Sequence, residues 1–194
     1  MLFKELTDHQ KDTFAQELAG EIKFMQDNGL RPYLAYGTLL GAVRENDFIP
    51  HDHDIDIAYL GYAESKVAAL AEIEKVNSLF EKSGKLNLIK DKWKSRGVAL
   101  GQSFVDMPSM HIDLYHTWQN NAYYCPHHVL SDLNILPLKE VRFRGVKLPI
   151  PQDAEKILTE LYGEWEVPSN SKVPDRHPFQ WVLKDAVESY IIQI

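Results

Sequence analysis

A single cysteine, Cys125, stands in 194 residues, so no intramolecular disulfide holds this chain and its core must do so. That usage fits a reducing compartment, and a cytoplasmic location is expected. No apolar run approaches ~18 residues, and the first residues lack a basic start followed by a continuous apolar segment. Neither a membrane span nor a signal peptide is therefore expected. Positive charge is also short: 21 Lys and Arg against 28 Asp and Glu leave a net charge of −7, which disfavours broad nucleic-acid binding. Repeats, low-complexity tracts and linkers are absent, and the length suits one domain over 1–194. Hydrophobic residues make up 44% of the chain, enough for a sizeable core.

What is present is concentrated between Tyr36 and Ile57. Asp52, Asp54 and Asp56 are spaced by two, with Ile55 and Ile57 interleaved. Side chains of a strand alternate faces, so Asp54 and Asp56 share one face, roughly 6.5–7 Å apart along the backbone. Such carboxylates can converge on one cation, and hard oxygen donors favour Mg²⁺ or Mn²⁺, ions that also take up phosphates. A solvated acidic loop is the plainer explanation, but it does not require aliphatic residues at period two. A third ligand is needed, and Asp113, flanked by Ile112 and Leu114, is the best distant candidate. The competing reading of Asp113 is a charge on an edge strand. Asp106 and Asp132 read as loop residues. By the same alternation His53 falls opposite Asp54, which argues against joint ligation.

A small-residue turn precedes this ladder. Residues 33–36 read as a short strand, Gly37 permits a tight turn, and Thr38 is placed to cap a short helix from Leu39 to Val43. Free N–H groups at such a helix start suit a phosphate, although taken alone a Gly-Thr turn is more often a plain cap. Arg44 could reach a phosphate or pair with an acid. Elsewhere, Thr7 and Gln10 form a capping box, and Phe14, Leu18, Ile22 and Met25 give helical spacing up to Gly29. Val67, Leu70, Ile73, Val76 and Phe80 mark a second amphipathic helix ending near Gly84. Strands are expected near 86–90, 98–105, 110–116 and 121–125, with a hairpin turning at Arg144-Gly145. Asp153 is placed to cap a helix to Tyr162, and a last helix is expected near 178–192. His127 and His128 read as loop histidines. The run from Lys90 to Arg96 reads as a solvated hairpin tip or, less simply, a clamp for an anion. The order of elements predicts an α+β fold with a mostly antiparallel or mixed sheet carrying the aspartates.

A Gly-Thr turn, an Asp-x-Asp strand and a later third Asp resemble the polymerase-β-type nucleotidyltransferase superfamily. GTLLGAVR at 37–44 and FIPHDHDIDI at 48–57 resemble more closely the LicD family, which includes phosphocholine transferases and fukutin-related ribitol-phosphate transferases. LTELYGEWEVP at 158–168 is similar to that family's C-terminal signature. The resemblance implies a nucleotidyltransferase-like fold and a Mg²⁺-dependent phosphotransferase. It also implies a CDP-activated alcohol as donor and a glycan or lipid-linked sugar as acceptor. Asp54, Asp56 and Asp113 become the expected catalytic and metal-holding residues, with Gly37, Thr38, Arg44, His51 and Asp52 as expected substrate contacts.

Three rival readings stand beside this one. A nucleotidyltransferase would share the site but transfer a nucleotide monophosphate to a protein or small molecule. A non-catalytic nucleotide-binding protein would have no need of three converging carboxylates. A histidine-aspartate phosphohydrolase would need further His and Asp ligands on helices, and none is evident. One departure from the family pattern generates a test: its usual Trp before the first Asp is His51 here. A flat apolar face binds a quaternary ammonium through cation–π attraction, whereas imidazole nitrogens suit hydroxyl groups. His51→Trp is expected to move the ratio of specificity constants from a CDP-polyol toward CDP-choline. If the wild type already prefers CDP-choline and the ratio does not move, His51 does not select the donor.

Overall fold

The computed structural model describes residues 1–63, 66–85, 102–119, 123–125, 128–130 and 133–168. The expected strand near 86–90, the Lys90–Arg96 run, His127, Asp132 and the expected helix near 178–192 lie outside the described residues.

Helix α1 (Asp8–Asp27) begins at the foreseen capping box: the Gln10 N–H donates to Thr7 Oγ1 at 3.3 Å and the Thr7 N–H to Gln10 Oε1 at 2.9 Å. Its buried stripe is Phe14, Leu18, Ile22 and Met25, and Gly29 leaves the helix at φ 79°. Strand β1 (Pro32–Leu34) leads into helix α2 (Tyr36–Arg44) and strand β2 (Ile55–Leu60), followed by helix α3 (Lys66–Lys82). Val76 and Phe80 of α3 are buried in the same core as the α1 stripe. Strands β3 (Gln102–Asp106), β4 (His111–Gln119), β5 (Tyr123–Cys125) and β6 (His128–Leu130) come next. The hairpin of β7 (Lys139–Phe143) and β8 (Val146–Ile150) and helix α4 (Ala154–Tyr162) complete the described elements.

The fold is α+β with a mixed sheet. Six strands run β1-β2-β4-β5-β6, with β3 also paired to β4. Only β2 and β4 are parallel; the other described pairs are antiparallel. In that parallel register Asp56 lies beside Asp113, with Ile57 beside Leu114 and Ala58 beside Tyr115. Ile55, Ile57 and Tyr59, with Ile112 and Leu114, enter the core beneath α1 and α3. Ala58, Leu60 and Tyr115 join a second apolar cluster with Tyr33, Ala35 and Ile135. Both faces of β2 are thus covered.

Several local expectations are corrected. Asp106 ends β3 opposite His111 rather than lying in a loop, its N–H donating to the Lys85 carbonyl at 2.7 Å. His128 opens β6. Tyr36 belongs to α2, not to β1. Asp153 sits at the N-cap position of α4, but its carboxylate accepts from the Asn134 backbone and side chain at 2.9 and 3.0 Å instead of capping the helix. The hairpin turn is where it was expected, with Arg144 and Gly145 at φ 44° and 85°. Arg144 then fastens that turn to α1 and the motif loop, donating to Asp12, Asp47 and Asp8 at 2.8, 2.7 and 3.1 Å.

The loop between α2 and β2 is fixed by packing. Phe48 stacks on Phe3 at 4.3 Å and meets Phe143 edge-on at 4.7 Å. Beneath it, a Cβ on Gly41 would fall 2.4 Å from the Asp47 carbonyl oxygen. A Cβ on Gly20, in the exposed middle of α1, would meet nothing within 4 Å. The two glycines therefore predict opposite outcomes in thermal melts. Gly20→Ala is expected to stabilise by about 0.5–1 kcal/mol through helix propensity. Gly41→Ala is expected to destabilise by about 1–3 kcal/mol, since a backbone atom must move. A Gly41→Ala melt at or above wild type would contradict the packing described.

Candidate metal and phosphate site

The carboxylates meet where β2 and β4 run side by side. One oxygen each from Asp54, Asp56 and Asp113 lies within 4.8 Å of the others. Parallel pairing in register explains this for Asp56 and Asp113; Asp54, just ahead of β2, reaches the same place. β4 is flanked by β2 and β3, so Asp113 is on an interior strand and not at an edge.

Asp56 is the most enclosed of the three, at 7% exposure. Its Oδ2 accepts from the Gly37 N–H at 3.2 Å and its Oδ1 from the Tyr115 hydroxyl at 3.3 Å. Its own N–H donates to Thr38 Oγ1 at 2.9 Å. Burial pushes its carboxyl well above the usual range, and the charges of Asp54, Asp113 and Asp52 push it further. Asp52 is raised to about 7, first by burial and then by Asp54. Neighbouring acids that hold each other's protons on form a set that a divalent cation would discharge. The donors are hard oxygens on a covered face, so this chain's residues fit Mg²⁺ or Mn²⁺.

The turn before them works differently from its sequence reading. Ala35 occupies the N-cap position of α2, and Thr38 lies inside the first turn with its hydroxyl committed to the Asp56 backbone. Thr38 therefore ties α2 to β2 rather than capping the helix. The positive φ falls on Tyr36 at 41°, not on Gly37. Gly37 matters for a different reason: a Cβ there would crowd Asp52 Oδ2, so that carboxylate would have to shift. Of the two partners weighed for Arg44, an acid is the one seen. Arg44 Nε donates to Glu45 at 2.9 Å, and its Nη1 donates to the Trp165 carbonyl at 3.1 Å.

The histidine argument also needs correction. β2 begins at Ile55, so strand alternation does not extend back to residues 52–54. His53 Nδ1 lies 3.8 Å from Asp52 and 4.0 Å from Asp54, and these three residues form a second group whose ligand atoms lie within 4.8 Å. His51 is exposed in the preceding turn. Three tyrosines at the site escaped the sequence reading. Tyr115 was visible two residues beyond Asp113 on the same strand face. Tyr36 gave no signal beyond its adjacency to Gly37. Tyr162, at the end of α4, is raised by burial and then by the charges of Asp56, Asp52 and Asp54.

Comparison with known proteins gives the chain's family. Residues 29–153 match the family described as LicD/FKTN/FKRP, nucleotidyltransferase domain, and the chain belongs to that family. Among curated relatives, the uncharacterized protein RP689 of Rickettsia prowazekii is 24% identical over 74% of this chain and 52% of its own length. The uncharacterized protein RT0683 of Rickettsia typhi is 24% identical over 74% of this chain and 43% of its own length. The chain thus spans about half the length of the curated relatives it matches. Among solved structures, ANT(2″)-Ia in complex with adenylyl-2″-tobramycin is 16% identical at a TM-score of 0.44, covering 93% of this chain and 94% of that one. Among the described residues, no helix is long and apolar enough to cross a membrane.

The raised carboxyls set a pH dependence. Burial pushes the Asp52 carboxyl up from the ordinary 3.8 to about 7, so its stabilising contribution is complete below about 4 and is lost as pH rises through about 7. His116, buried and lowered to about 3, acts in the opposite direction, costing stability as pH falls below 6.5. The difference between wild type and Asp52→Asn cancels the His116 contribution. In metal-free buffer the melting temperature of Asp52→Asn is expected to gain on wild type as pH rises from 5 to about 7.5. A difference that stays flat over that range would contradict the assignment.

Proposed function

We propose that this protein is a Mg²⁺-dependent phosphotransferase that moves a phospho-alcohol, phosphocholine or a polyol phosphate, from a CDP-activated donor to a sugar hydroxyl. The acceptor would be a glycan or a lipid-linked sugar. The convergence of Asp54, Asp56 and Asp113 to within 4.8 Å is the observation that carries this reading, and family membership supports it. Asp54, Asp56 and Asp113 would hold the cation. Bound there, it would neutralise the donor's diphosphate and the charge that gathers on the departing nucleotide.

The residues of the chain supply positioning and proton transfer. The start of α2 is the proposed phosphate contact, and the Gly37 amide, which donates to Asp56 Oδ2, is proposed to reach the phosphate only by exchanging that partner. Asp113 is the proposed acceptor of the attacking hydroxyl's proton, and Asp52, titrating at about 7, is a second group suited to moving protons near neutral pH. The sugar oxygen then bonds to the phosphorus of the phospho-alcohol as the bond to CMP breaks. This chemistry rests on positioning and charge, so it needs no Ser or Cys nucleophile. Among the expected contacts, His51 and Asp52 border the cluster in sequence and remain proposed donor contacts. Arg44, held by Glu45, is proposed to reach the donor only by exchanging that partner.

Activity with a CDP-alcohol and Mg²⁺ is expected to release CMP, identified by mass. Pyrophosphate from a nucleoside triphosphate would instead support nucleotide transfer. Asp54→Asn and Asp56→Asn are each expected to abolish turnover while melting at or above the wild type in metal-free buffer, because each removes one of the crowded acids. Asp113→Ala is expected to cost several orders of magnitude, and Asp106→Ala little. Near-wild-type turnover of Asp54→Asn or Asp56→Asn at saturating Mg²⁺ would overturn the reading.

A further inference from the structure

Tyr115 stands one strand step beyond Asp113, on the same face of β4 and opposite Ala58 of β2. A core tyrosine there would need only to fill the second apolar cluster, where Tyr115 is 8% exposed. Its hydroxyl does more: it donates to Asp56 Oδ1 at 3.3 Å, diagonally across the parallel pair. The ring is held from the other side by Tyr36, with centroids 4.6 Å apart and planes 60° from each other. Tyr36 holds this position at φ 41°, a left-handed conformation that is costly for an aromatic residue. The following residue, Gly37, sends its N–H to the second oxygen of Asp56. One short segment therefore controls both oxygens of that carboxylate, one directly and one through the Tyr115 ring.

We propose that Tyr115, braced by Tyr36, is a positioning residue that orients the Asp56 carboxylate for the divalent cation. The proposal rests on the metal reading above and deepens it. A carboxylate with one oxygen tethered keeps a fixed plane and direction, so the cation does not have to freeze it on binding. Partners that orient a metal ligand through hydrogen bonds are worth about 10–100-fold in metal affinity. Tyr59 provides the contrast. Its buried hydroxyl bonds His116 Nδ1 at 2.9 Å on the opposite face of the same sheet, away from the carboxylates.

The test is Mn²⁺ binding by calorimetry on the full chain without substrate, together with metal-free melts. Tyr115→Phe keeps the ring and is expected to weaken Mn²⁺ about 10-fold or more while the metal-free protein stays folded. Tyr59→Phe is expected to lower the melting temperature yet leave Mn²⁺ affinity unchanged. If Tyr115→Phe does not fold, Tyr36→Leu, which removes the brace but keeps the hydroxyl, is expected to weaken Mn²⁺ several-fold. Wild-type affinity in Tyr115→Phe, or in Tyr36→Leu where that variant carries the test, overturns the positioning role alone. A wild-type protein that takes up no Mn²⁺ overturns both this role and the metal reading.

Discussion

Repulsion among carboxylates crowded onto one covered sheet face is the constraint around which this structure is arranged. Two adjacent parallel strands put Asp56 directly beside Asp113, Asp54 enters the same space, and Asp52 lies against Asp54. Burial penalises the charges of Asp56 and Asp52, and neighbouring carboxylates add to that penalty. A sheet built for stability alone would place aliphatic residues there, as the opposite face does with Ile57 and Leu114. The protein instead spends hydrogen bonds on keeping the acids aimed: Gly37 and Tyr115 on the Asp56 carboxylate, Thr38 on its backbone.

The surroundings make sense as supports for that arrangement. The stack of Phe3, Phe48 and Phe143 fixes the loop that delivers Asp52 and Asp54. The Phe3 N–H also donates to the Asp52 carbonyl at 2.9 Å, so the start of the chain holds the motif loop from outside. Arg144 draws the distant hairpin onto α1 and Asp47. Small residues sit where elements crowd: Gly37 against Asp52, Gly41 against the Asp47 carbonyl. Rigid loops of this kind lower the cost of holding reactive groups in one geometry.

Much of this was legible in the sequence because the signals were local. Period-two alternation located β2, the 3.6-residue stripe and capping box located α1, and the Arg-Gly pair located the hairpin. The third acid was found by the same alternation around Asp113. What escaped was long-range or opposite to local habit. Alternation was carried back over His53, although the strand starts only at Ile55. Thr38 has the chemistry of a cap, but an unpaired strand amide at Asp56 took its oxygen. Asp153 was likewise drawn to Asn134, a partner 19 residues away. Sequence spacing carries no signal for Tyr162, which comes under the charge of the acids only in the folded chain.

The measurement that tests the central claim most directly is proton release on cation binding. Mg²⁺ or Mn²⁺ is titrated into the protein near pH 6.5 in two buffers of different ionisation enthalpy. If the clustered acids hold protons that a cation displaces, the two apparent enthalpies differ, corresponding to about one proton released per protein. Equal enthalpies in the two buffers, or no binding at all, would contradict the account.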